Sequence, residues 1–193
     1  MLRRLYDWTM RLSGHPHAIW VLAALTFAES SFFPIPPDVL LIPMVLAARD
    51  RAFLYAGVCA VASVVGGFAG YGIGYGLFEE IGRPIVEFYG YGEQFQTFRD
   101  AYNEWGAWIV AGAGFTPFPY KVITIASGVT GLDLTTFTIA SVLSRGARFF
   151  LVATLLWYFG PPIRAFVEKN LAVLTVVFFV LLFGGFVAAK YLL

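Results

Sequence analysis

Five charged side chains stand in sequence that otherwise reads as apolar: Glu29, Asp38, Lys121, Arg145 and Arg148. Arg145 and Arg148 are three residues apart, which puts both on one face of a helix. Each such charge costs at least ~2.5 kcal/mol at the centre of a bilayer, so it must pair, face water or hold a ligand. Two carboxylates against three cations leave positive charge over. That balance suits the binding of an anion through charge-assisted hydrogen bonds, with the carboxylates competing for the same cations and able to carry protons. The alternative is an ion-pair network whose only work is to hold the segments together.

Other chemistry is not visible. The sequence has no HExxH, GxSxG or paired-Asp motif and no His in its apolar body, so no enzyme activity, metal or cofactor is expected. His15 and His17 flank Pro16 and do not share a helix face. Cys59 is the lone cysteine, which excludes an internal disulfide. The formal net charge of +1 gives no bulk basic character for nucleic acid.

The elements that position the five charges follow from hydropathy. Of the 193 residues, 59% are hydrophobic and only 13% charged; soluble domains carry about 25% charged residues. Lipid must therefore be the solvent for much of the chain. Residues 1–14 alternate apolar and basic positions as an interfacial helix does. Residues 18–48 form two short apolar arms interrupted at Pro34 and Pro36, a re-entrant hairpin. Residues 52–78 carry no charge and are long enough to cross, with Gly66, Gly70 and Gly74 as a smooth stripe for helix packing. Residues 79–104 are polar and aromatic and are expected outside the membrane or at its surface. A second hairpin, 105–131, breaks at Pro117 and Pro119; 134–159 and 171–191 read as transmembrane helices.

The two hairpin units repeat. Phe32-Phe33-Pro34-Ile35-Pro36-Pro37-Asp38-Val39 aligns with Phe115-Thr116-Pro117-Phe118-Pro119-Tyr120-Lys121-Val122, and Ala62-Ser63-Val64-Val65 with Ala140-Ser141-Val142-Leu143. One crossing per unit inverts the second copy. The expected fold is an all-α polytopic membrane protein: two inverted repeats, each a re-entrant Pro-x-Pro hairpin plus a transmembrane helix, with an extra C-terminal transmembrane helix. A cytoplasmic N-terminus puts Arg3, Arg4, Arg11, Arg49, Arg51, Arg164 and Lys169 inside.

At Phe27-Ala28-Glu29-Ser30-Ser31-Phe32-Phe33-Pro34-Ile35-Pro36-Pro37-Asp38 the sequence resembles the DedA family, whose shared region is also called the VTT or SNARE-associated domain. The helix motif Ser144-Arg145-Gly146-Ala147-Arg148-Phe149 resembles its shorter YqaA-like branch. The resemblance implies a bacterial inner-membrane protein that moves phospholipid or undecaprenyl phosphate between leaflets, in dependence on protons. Glu29 and Asp38 match the family's acidic positions, and Lys121 stands near a family Arg. A second family Arg is missing from Ala111-Gly112-Ala113-Gly114, a place that Arg145 or Arg148 is a candidate to fill. The partners expected are lipids with phosphate headgroups and protons, with self-association into a homo-oligomer left open. The competing functions are a proton-coupled transporter of a small ion or solute, and a membrane scaffold that transports nothing.

Overall fold

The computed structural model describes residues 17–116, 118–160 and Pro162. The expected segments 1–14 and 171–191, and the break residue Pro117, lie outside the described residues. The described residues are helical, with no strand among them. Helix α1 is Ala18–Ser31 and α2 is Asp38–Ala47. The long helix α3, Ala52–Leu77, runs through a π-type turn, Phe78–Gly82, into the short α4, Arg83–Phe88. Helices α5, Gly92–Phe115, and α6, Tyr120–Thr130, lead to α7, Leu134–Gly160.

Prolines divide α1 from α2. The last amides of α1, Phe32 and Phe33, both donate to the carbonyl of Ala28, at 2.9 and 2.7 Å. Pro34, Pro36 and Pro37 then offer no donor to continue the helix. Asp38 restarts it, with its carboxylate in the first turn where the helix dipole favours an anion. At 14 and 10 residues, α1 and α2 are about 21 and 15 Å long, short of the ~30 Å apolar core of a bilayer. The runs Arg49–Phe88 and Leu134–Gly160 are long and apolar enough to cross.

The second pair differs from the expectation. Residues 92–104 are not separate from the arm at 105: α5 is one helix of 24 residues. Tyr102, Gly106, Val110 and Ala113 are buried at helical spacing along it, while Glu93, Asp100 and Glu104 lie on its exposed face. The charges that mark 79–104 as an extramembrane or interfacial segment are, from 93 to 104, on the outer side of a half-buried helix. Helix α6 ends at Gly131, whose φ of 64° is open to glycine, and Leu132 N–H returns to Ser127 O at 2.9 Å. Asp133 caps α7, accepting from Thr136 N–H at 2.8 Å and Thr136 Oγ1 at 3.0 Å. Those bonds, the backbone one first, hold its carboxyl below the usual Asp value. The cap is in force above the ordinary Asp range and is lost as pH falls through the lowered value.

Helix α3 is the centre of packing, and its stripe of small residues explains why. Ser63, Gly66, Gly67, Gly70 and Gly74 are all buried. A Cβ on Gly66 would run into the Phe27 carbonyl of α1, and one on Gly74 into the Ile125 carbonyl of α6. The approach is mutual, because a Cβ on Gly128 of α6 would meet the Tyr71 carbonyl. Backbones in contact gain dispersion and short polar bonds, the main glue available where lipid removes the hydrophobic drive. Ser31 Oγ donates to Gly66 O at 2.9 Å. Apolar side chains form one core of α1, α2, α3 and α7, around Leu22, Leu41, Met44, Cys59 and Phe149. A second core joins α5, α6 and α7 around Val110, Tyr120 and Phe137.

Gly74→Ala is expected to destabilise the fold by about 1–3 kcal/mol, the usual cost of overpacking. Gly72→Ala, where no atom lies within 4 Å of the added carbon, is the matched control on the same helix and leaves stability unchanged or slightly raised. Thermal unfolding of the two purified variants in one detergent checks the difference.

Candidate functional site

Between the two apolar cores lies a layer of buried polar side chains, and Arg145 is its centre. The arginine is 0% exposed. Its Nε donates to Ser63 Oγ at 2.6 Å and its Nη2 to Glu29 Oε2 at 3.1 Å. Ser30 Oγ lies 3.1 Å from the same carboxylate oxygen and 2.7 Å from Ser63 Oγ, closing a ring of contacts across α1, α3 and α7. Its guanidinium carbon also lies over Tyr120 at 4.7 Å and Phe149 at 4.8 Å, each contact worth about 0.5–2 kcal/mol. Tyr120 is pinned in turn by its hydroxyl bond to Ser141 Oγ, 2.5 Å long. Arg145 therefore ties α7 to α1, α3 and α6 together.

The second pair is more open. Arg148 Nη2 meets Asp38 Oδ2 at 2.6 Å, with the two side chains 19% and 22% exposed. One turn of α7 separates the two arginines, so each reaches one side of the first proline break: Arg145 the last turn of α1, Arg148 the first residue of α2. Each pair keeps an unused hydrogen-bonding atom, the donor Arg145 Nη1 and the acceptor Asp38 Oδ1.

Lys121, the third cation, is not one of those that pair with a carboxylate. It makes no ion pair among the described residues; its Nζ donates to the Phe33 carbonyl at 3.1 Å on the exposed side. That bond joins the start of α6 to the first proline break, and Thr124 Oγ1 to Ser30 O, at 3.1 Å, adds a second link one turn on. The breaks at Pro34 and Pro36, and at Pro119, thus lie on facing elements. Sequence reasoning missed Ser30, Ser63, Tyr120 and Phe149, which hold Arg145. The only available signal was the repeat, which aligned Ser63 with Ser141; each proves to bond a key residue of the layer.

Arg145 is fully buried and Glu29 13% exposed, and removing the partner of a buried charge strands it, at about 3–5 kcal/mol. Glu29→Ala is expected to reach that range, and Asp38→Ala, part exposed, clearly less. Denaturant unfolding of both variants in detergent, with Glu29→Ala/Arg145→Met as the doubly neutral control that recovers much of the loss, checks the ranking.

The comparisons with known proteins agree with this architecture. Residues 35–158 match the VTT domain, the domain of the DedA family. An uncharacterized protein of Haemophilus influenzae is 39% identical over 170 residues, covering 88% of each chain. An uncharacterized protein of Histophilus somni is 37% identical over 167 residues, covering 86% of this chain and 87% of its own. No solved structure matches. With the domain covering most of the chain and relatives alike along nearly their whole length, the protein belongs to the DedA family of membrane proteins.

Proposed function

We propose that the protein carries phosphate-bearing lipids, phospholipid or undecaprenyl phosphate, between the leaflets of a bacterial inner membrane. The observation that carries this reading is the pair of arginine–carboxylate bridges set where the first hairpin meets α7. A phosphate competes directly with a carboxylate for a guanidinium, because each presents a pair of anionic oxygens that its planar fork can grip with two hydrogen bonds. Glu29 and Asp38 are then counter-ions that hold the cations while the site is empty of anion, and their protonation favours exchange. In this reading the two proline-broken hairpins enter from opposite faces as inverted repeats, with the N-terminus in the cytoplasm. A shallow apolar hollow of about 330 Å³ between α5 and α7 is lined by Trp108, Ala111, Ile139, Ala140 and Leu143, the last of them the residue before Ser144. It gives an acyl chain a surface to follow while the headgroup crosses, so no closed pore is required.

The test is leaflet exchange of a labelled phosphate-bearing lipid by purified protein in liposomes, across a pH series. Wild type is expected to exchange it and to spare a labelled diacylglycerol. Glu29→Gln and Asp38→Asn keep side-chain shape and remove the titrating proton, so they flatten the pH dependence. Wild-type rates from both variants at every pH would remove the two carboxylates from the transport step, and no exchange by wild type would leave a scaffold as the better reading.

A further inference from the structure

We infer that the two ion pairs do different work: Arg148 and Lys121 are the cations that touch the phosphate, and Arg145 is a strut that never does. The inference deepens the reading above and rests on it.

The distinction comes from how each cation is held. Arg145 is shut off from solvent, bonded through two of its nitrogens to Ser63 and Glu29, and packed between two aromatic rings. Freeing it for a ligand would undo contacts to four helices at once. Arg148 is held by a single bond to Asp38 and by one looser ring contact, Phe149 at 5.9 Å, and is 19% exposed. Lys121 is held by a single bond to a backbone carbonyl, on the exposed side.

Those two weakly held cations are bonded to the two ends of one segment. The partner of Lys121 is Phe33, at the start of the first proline break, and the partner of Arg148 is Asp38, at its end. Each is therefore parked on an oxygen of the same short, helix-free segment between α1 and α2. A phosphate group entering there replaces a carbonyl on Lys121 and a carboxylate on Arg148, oxygen for oxygen, without disturbing the ring around Arg145. Arg148 supplies a planar fork and Lys121 a point charge, the two complementary ways a protein grips phosphate.

The experiment titrates the full chain in detergent with short-chain phosphatidic acid, with inorganic phosphate, and with the matching phosphate-free diacylglycerol, reading the unfolding temperature. Phosphatidic acid is expected to stabilise wild type in a saturable way. Lys121→Gln and the charge-balanced Arg148→Gln/Asp38→Asn should unfold near the wild-type temperature without ligand and bind roughly tenfold or more weakly, the loss of one charge-assisted contact. Arg145→Lys should do the reverse, lowering the resting unfolding temperature while keeping the ligand response; Ser63→Ala, which removes one anchor of Arg145, serves if that variant does not fold. Equal stabilisation by inorganic phosphate, lost in the same two variants, supports the two-cation site and moves its ligand from lipid to free anion, against the lipid reading alone. Loss of the response in Arg145→Lys or Ser63→Ala, with the response kept in the Lys121 and Arg148 variants, overturns the assignment. No response in wild type to either phosphate ligand overturns the assignment and the reading beneath it.

Discussion

A guanidinium with no exposure to solvent sets the terms for what is packed around it. Arg145 brings several donors and a full charge into a layer of helices whose outer surface is apolar. Desolvating such a group costs several kcal/mol, which paired charge and hydrogen bonds must offset; here they engage Nε and Nη2 and leave Nη1 unused. The partners come from every side: a carboxylate from α1, a hydroxyl from α3, an aromatic face from α6 and another from its own helix. Each partner must be delivered to within about 3–5 Å, and that requirement explains why α1 lies so close on α3. Ser30 reaches both Glu29 and Ser63 because the backbones touch at Phe27 and Gly66.

Aligned by sequence, α3 and α7 put the same positions to two opposite uses. In the register that aligns Ala62-Ser63-Val64-Val65 with Ala140-Ser141-Val142-Leu143, Gly66, Gly67 and Gly70 of α3 stand opposite Ser144, Arg145 and Arg148 of α7. In α3 the absence of side chains lets backbones meet; in α7 the longest side chains reach across to the first hairpin. Gly114 completes the exchange. A Cβ there would press on Ser144 and come within 3.6 Å of Arg145 Cδ, so the second hairpin is smooth where α7 is bulky.

The charges and the breaks were legible in the sequence because both are local signals. Pro34 and Pro36 end a helix whatever surrounds them, and a count of charges in apolar sequence demands pairing. The pairing itself was not legible. Glu29 chooses Arg145 and Asp38 chooses Arg148 because of the rotation of α7 against α1, a tertiary quantity that no spacing encodes. Lys121 reads as a buried charge from its position after a proline break, yet its flexible stem carries the amine to the exposed side. The segment 92–104 reads as polar because composition averages over a helix with one face in and one face out.

The bridges to the first hairpin also bear on how the chain is made. Helix α7 carries two arginines, and a segment with two such residues near its middle meets a penalty of roughly 5–7 kcal/mol on leaving the translocon for lipid. Their counter-ions, Glu29 and Asp38, are synthesised more than a hundred residues earlier. By the time α7 emerges, the N-terminal half is already present as a template bearing both neutralising groups and the glycine face beside them. Insertion of the late helix is thereby coupled to assembly of the early ones, and a ribosome that releases the second half alone delivers a segment with no place to keep its charge.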